Sequence, residues 1–192
     1  MGFQQIYSNT EERELIAAAQ QGDRTAFKAL YENHRDRVYN LIFYFLTDVR
    51  LVEDVLQNVF LKVYRGLPQF RFEANLATWI YRVTINECQN QNRRNGARYV
   101  PFETILGSGE EIDRSSTPDD WHARNERREI VQRAVLQLSP KLRAVVVLKY
   151  LEGLSYDEIA EALECAPGTV ASRLNRALEE LESRLRPLKH VL

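Results

Sequence analysis

The sequence predicts an all-α protein: two small helical domains joined by a flexible acidic linker, the second a four-helix domain with a helix-turn-helix. Three observations carry this. Apolar residues recur at helical spacing through both halves, and no stretch alternates with the period of two that a half-buried strand needs. Glycine, proline, serine, threonine and acidic residues collect in residues 95–120, which follow neither period. Ser155–Leu178 reads as two helices joined by a tight turn. The domains so set are 1–96 and 121–192, with 97–120 as the linker.

In the first half, Met1–Thr10 is expected to fray. Thr10 is placed to cap a helix from Glu11 to Gln20 that turns Leu15 and Ile16 inward, with Gly22 ending it. Asp23 caps a long helix in which Phe27, Leu30, Tyr31, Val38, Leu41, Ile42 and Phe45 share a side. Asp48 reads as the cap of the next helix, whose buried stripe is Leu51, Val52, Val55, Leu56, Val59, Phe60 and Val63. Gly66 is its stop, and Pro68 forbids continuation. Its outer face carries Glu53, Asp54, Gln57, Asn58, Lys62 and Arg65.

Gln69–Ala77 is a loop bearing Phe70, Phe72 and Leu76. Thr78 reads as the cap of a helix from Trp79 to Arg94, with Trp79, Ile80, Val83 and Ile85 inward. Arg82, Asn86, Gln89, Asn90, Arg93 and Arg94 crowd the other face, where Glu87 is the one acid. An amide-rich, arginine-tipped surface beside an aromatic loop suits stacking and hydrogen bonding to unpaired bases. An ordinary solvated face would look the same, and this helix alone does not decide between them.

The second half opens with a helix from Trp121 to Leu138 through Ile130, Val131, Ala134 and Val135. Ser139-Pro140 starts the next, which buries Leu142, Val145, Val146 and Leu148 and closes at Gly153. Ser155 and Glu158 form an S-x-x-E capping box. After Glu164, Cys165 and Ala166, Pro167 sits in the first turn of a last helix that Pro187 ends. Val170, Leu174, Ala177, Leu178 and Leu181 share its packing side. Thr169, Ser172 and Arg176 fall opposite, flanked by Arg173 and Asn175. One face packs and the other is free to enter a major groove, the layout of a helix-turn-helix. A plain αα-hairpin has the same outline.

Composition narrows the function. At 192 residues and 44% hydrophobic, the chain builds its core without staples. Cys88 and Cys165 lie far apart, and His34, His122 and His190 are scattered, so neither a disulfide framework nor a metal or other cofactor is expected. The run Tyr39–Leu46 is much shorter than the roughly 20 residues of a membrane span, and no signal region follows Met1. A cytoplasmic protein with no membrane insertion and no small-molecule substrate is expected. Adjacent carboxylates such as Glu53 and Asp54 diverge on a helix, and no nucleophile, base or metal constellation accompanies them, so an enzyme is disfavoured. The net charge of −1 is not that of an avid stand-alone DNA binder. Residues 97–120 hold 6 acidic and 2 basic side chains, while 1–96 is net +1 and 121–192 net +2. Nucleic acid is then contacted locally, and a partner supplies much of the affinity.

Four stretches in order carry a family resemblance: GDRTAFKALYENH, VEDVLQNVFLKVYRGLPQF, ATWIYRVTINECQNQNRR and LSPKLRAVVVLKYLEGLSYDEIAEALECAPGTVASRLNRAL. The chain resembles the extracytoplasmic-function (ECF) sigma factors, the small two-domain members of the bacterial primary-type sigma factor family. The resemblance implies core RNA polymerase and promoter DNA as partners, and an anti-sigma factor as the usual regulator. It implies docking on polymerase through Asp54, Gln57 and Asn58, although the family usually has a glutamate where Asn58 stands. It implies recognition and melting of the minus-ten element by Asn75, Leu76, Trp79, Arg82 and Asn86, in a loop where Phe72 replaces a common glycine. It implies reading of the minus-thirty-five element by Thr169, Ser172, Arg173 and Arg176, with Ala171 where a basic residue is common. The competing reading is a stand-alone helix-turn-helix regulator, which would leave the first domain unexplained.

Overall fold

The computed structural model describes residues 9–46, 48–94 and 130–188. The linker 97–120, the helix start at Trp121 and most of Met1–Thr10, where fraying is expected, lie outside them. The helices are α1 (Asn9–Gln20), α2 (Arg24–Phe45), α3 (Val52–Gly66) and α4 (Leu76–Arg94), then α5 described over 130–136, α6 (Pro140–Tyr150), α7 (Tyr156–Ala162) and α8 (Pro167–Leu185). No strand occurs among the described residues. The all-α prediction holds.

Helices α1 to α4 pack into one bundle, α2 against α1, α3 and α4, and α3 against α4. Asp23 caps α2 by accepting from the backbone N–H of Thr25 at 2.7 Å and of Ala26 at 3.2 Å. Its buried stripe runs through Leu30, His34, Val38, Leu41, Ile42 and Phe45. The stripe of α3 is buried from Val52 to Val63 as its spacing requires.

Several local expectations need correcting. Helix α1 already includes Asn9, so Thr10 is inside its first turn and does not cap it. Asp48 does not cap α3. It accepts from the Arg50 N–H at 3.1 Å and heads a short 3-10 turn, Val49–Leu51, that leads into the helix. Gly66 is not a left-handed stop, because its φ is −87° and the chain runs on into a second 3-10 turn, Leu67–Gln69. Thr78 is 2% exposed inside α4. The cap there is Asn75, whose Oδ1 accepts from the Ala77 N–H at 2.9 Å. Leu178, expected on the packing side of α8, is 39% exposed.

The second half forms around α6, which packs on α8 and α7 and also reaches α2. Every residue from Leu142 to Leu148 is buried, as a helix covered on all sides demands. Ser155 and Glu158 make the full reciprocal capping box at the start of α7. Between α7 and α8, Glu164 takes a left-handed φ of +49°.

Direct contacts join the halves. Helix α7 packs on α4. The last carbonyls of a helix have no partner within it, and those of α2 are met by side chains from elsewhere. Phe45 O accepts from Asn92 Nδ2 of α4 at 2.9 Å and from the Arg143 guanidinium of α6 at 3.0 Å. Phe43 O accepts from Gln132 Nε2 of α5 at 3.2 Å. Arg143 also donates to Leu138 O at 3.1 Å and to Leu136 O. Burial lowers its pKa to about 10.

Candidate nucleic-acid interface

The loop between α3 and α4 is held from three sides. Gln20, at the end of α1, donates through Nε2 to Leu67 O at 3.0 Å and to Phe70 O at 2.8 Å. The ring of Phe70 meets those of Phe72 and Trp79, each at 5.4 Å between centroids. A methyl group on Gly66 would sit 3.0 Å from Trp79 Cζ2, so the bare backbone there makes room for the indole. Phe72 adopts φ +59°, the left-handed conformation that glycine favours. The Arg13 guanidinium stands 5.9 Å above its ring as support.

Of the five residues expected to read unpaired bases, Asn75 and Asn86 are exposed, and Trp79 and Arg82 are half-buried. Leu76 is 2% exposed. It packs in the core below the loop. Glu87, expected as the one acid of the outer face, is also buried and pairs with Lys62 of α3. The exposed surface of α4 is thereby more basic and amide-rich than the sequence pattern suggested.

This face also meets the second half. The Tyr81 hydroxyl donates to Glu152 Oε2 at 2.5 Å, and Arg82 Nη1 lies 3.0 Å from Glu164 Oε1 in the turn of the helix-turn-helix. Burial raises the pKa values of both Tyr81 and Glu152. For Glu152 the Tyr81 hydrogen bond and the nearby Arg37 and His34 oppose the shift without reversing it.

In α8, Val170, Leu174, Ala177 and Leu181 are buried. Ser172 and Arg176 are exposed on the other side, and Thr169 and Arg173 are half-buried. Ser172 gives its proton to Thr169 O at 3.1 Å, which leaves its oxygen as an acceptor. Arg173 rests with Nη1 3.7 Å from Cys165 Sγ. On α3, Asp54, Gln57 and Asn58 are all exposed, at the three- and four-residue separations that share one helical face.

Sequence reasoning missed Gln20, Arg13, Gly66, Tyr81 and Glu152. Only Gln20 left a trace, as an amide one turn beyond the inward Ile16. The others act on residues distant in sequence.

The fold and this surface define a two-part helical protein with a helix-turn-helix, built to read nucleic acid. Two family matches account for both parts: Sigma-70 region 2 over residues 30–98 and Sigma-70 region 4 over 128–181. The chain is 33% identical over 189 residues to the RNA polymerase sigma-H factor of Pseudomonas aeruginosa, covering 95% of this chain and 98% of that protein. It is 34% identical over 181 residues to the ECF RNA polymerase sigma-E factor of Haemophilus influenzae, covering 91% and 95%, and 34% identical to that of Escherichia coli K12, covering 91% and 94%. Two solved structures share the fold. One is CnrH in complex with the cytosolic domain of CnrY, with TM-score 0.70 and 24% identity over 92% of this chain and 98% of that one. The other is the sigma factor RpoE in complex with the anti-sigma factor NepR from Bartonella quintana, with TM-score 0.65 and 22% identity over 83% and 96%. The chain belongs to the ECF RNA polymerase sigma factors of the sigma-70 family. The region 2 match covers most of the half that a stand-alone regulator would leave unexplained. Among the described residues, no helix is long and apolar enough to cross a membrane.

Proposed function

We propose that this sigma factor divides its work by domain. Residues 1–96 dock on core RNA polymerase and recognise and melt the minus-ten element, 97–120 connect, and 121–192 read the minus-thirty-five element. Asp54, Gln57 and Asn58 face the polymerase. Asn75, Trp79, Arg82 and Asn86 receive unpaired bases, while Leu76 supports their loop from the core. Thr169, Ser172, Arg173 and Arg176 face the upstream major groove. The polymerase performs the chemistry and supplies much of the phosphate contact, and this chain supplies base readout.

The observation that carries this reading is α8. A buried seam of Val170, Leu174 and Ala177 backs an exposed side that presents Ser172 and Arg176. A helix so anchored enters a groove by its free side. The protein works in the cytoplasm and is restrained by an anti-sigma factor until a stress releases it; the restraint is supported by the complex of the structural neighbour RpoE with the anti-sigma factor NepR. The test is reconstitution with core polymerase on genomic DNA, followed by sequencing of transcript starts. Starts preceded by a shared pair of elements, and absent with core alone, are expected. The same starts with and without the chain would overturn the proposal.

A further inference from the structure

We infer that Gln20 and Arg13 of α1 are positioning residues for the minus-ten loop, setting its shape without touching DNA. The inference rests on the reading of residues 70–75 and α4 as the minus-ten reader. Arg13 and Gln20 stand seven residues apart, two turns of one helix, with the buried Ile16 between them on the same side. Each end of that side grips a different part of the loop.

Gln20 places one amide nitrogen between two carbonyls, Leu67 O at 3.0 Å and Phe70 O at 2.8 Å. Leu67 O already accepts from the Phe70 N–H at 3.0 Å. The amide therefore pins the point where the 3-10 turn ends and the loop begins. Two residues on, Phe72 holds a left-handed φ that costs energy for a residue with a side chain. That cost is met by its ring contact with Phe70 and by the Arg13 guanidinium 5.9 Å from the ring centroid. At the far end, Asn75 is fixed as the cap of α4. With both ends and the strained middle held, Arg71, Glu73 and Asn75 remain exposed in a defined arrangement. A preset loop binds flipped bases more tightly because less ordering remains to be done on binding.

The test uses polymerase holoenzyme with the full chain carrying Gln20→Ala, Gln20→Glu or Arg13→Ala. Affinity for a single-stranded minus-ten oligonucleotide is measured beside affinity for core. Hydrogen exchange of the 70–75 amides is followed in the free protein. Loss of two ordinary hydrogen bonds should weaken oligonucleotide binding roughly tenfold in Gln20→Ala. Gln20→Glu keeps the shape but sets an acceptor against two carbonyls, so it should bind worse than Gln20→Ala. A purely space-filling role would give the reverse order. Arg13→Ala should weaken oligonucleotide binding and speed exchange at Phe72. Core affinity should be unchanged in all three. Parent-like exchange in the loop, or Gln20→Glu equal to parent, would overturn the inference. A parent that does not prefer cognate over scrambled oligonucleotide would instead overturn the reading of the loop, leaving exchange to judge the positioning.

Discussion

Tyr81 in α4 donates its hydroxyl to Glu152 Oε2 at 2.5 Å across 71 positions of sequence, and so ties the last helix of the first half to the corner between α6 and α7. Burial raises the Glu152 pKa above its ordinary 4.5. The groups facing it are Tyr81 from α4 and Arg37 and His34 from α2, and His34 Nε2 is itself 3.2 Å from Glu12 Oε1 of α1. A carboxyl whose folded pKa is raised holds its proton to higher pH when folded than when unfolded. Its stabilisation is complete below the unfolded value and is lost as pH rises through the raised one. Asp48, whose pKa the Arg50 side chain lowers, works in the opposite sense and is lost towards acid. Thermal unfolding across pH 4.5–7.5 should therefore show a decline towards neutrality in the parent relative to Glu152→Gln, which keeps an acceptor but does not titrate. Parallel profiles for the two proteins would show that Glu152 carries no such linkage.

Arg143 should matter for stability out of proportion to its place in a helix of branched aliphatics. It is 6% exposed, and its guanidinium serves carbonyls at the ends of both α2 and α5. Arg143→Met fills similar space but takes the guanidinium from Leu136 O and Leu138 O and leaves Phe45 O with Asn92 as its one side-chain donor. A loss of about 3 kcal/mol in urea unfolding is expected, since hydrogen bonds from a charged donor are each worth about 1.5–3 kcal/mol. A change below about 1 kcal/mol would mean that water replaces the guanidinium at little cost.

The parts of the fold legible in the sequence are those set by neighbours along the chain. The Asp23 cap and the Ser155–Glu158 box act over two or three residues, and both stand as read. The start of α4 was misread because Asn75 and Thr78 are both cap-forming types one turn apart. Burial of Thr78 against the core, a tertiary effect, decides for Asn75. Glu87 looked like a surface acid because nothing local announces that Lys62, 25 positions earlier, will cover it. Helical period alone places Asp54, Gln57, Ser172 and Arg176 on exposed faces, and the family resemblance singles out Asp54 and Gln57 among the neighbours on theirs. Gln20, Gly66 and Tyr81 were not found, because each acts on a partner that only the folded chain brings near.

Docking on polymerase should depend on the outer face of α3. Asp54, Gln57 and Asn58 are exposed there and take no part in the bundle core. The double variant Asp54→Ala with Gln57→Ala should leave unfolding within about 0.5 kcal/mol of parent, as surface changes usually do. Titration with labelled core should show affinity reduced about tenfold or more, since truncated interface anchors commonly cost over 1 kcal/mol each. Unchanged core affinity would move the docking surface elsewhere, with Leu61 and Tyr64, the exposed large residues of the same helix, next to be tried.

The recognition helix gives the sharpest separation of base reading from phosphate contact. Arg176 is exposed and lies four residues from Ser172 on the side away from the buried Val170 and Leu174. Arg173 is folded back towards Cys165 Sγ and must leave that contact to reach a groove. An arginine on a guanine edge offers two donors in a fixed fork, whereas one on phosphate gives position and salt dependence only. If Arg176 reads a base, Arg176→Ala should cost on the order of 1–3 kcal/mol at the cognate upstream element and little at a scrambled one. If it meets only phosphate, the loss should be equal on both and should shrink as salt rises. Val170→Ala separates DNA contact from folding, because that side chain is 0% exposed and never reaches the groove. It should lower the stability of the second half by roughly 2 kcal/mol through lost core volume. Holoenzyme binding to cognate and scrambled upstream elements at two salt concentrations, beside unfolding of each variant, distinguishes these outcomes. Full binding of the cognate element by both Arg173→Ala and Arg176→Ala would mean that neither Arg173 nor Arg176 contributes to reading the upstream element.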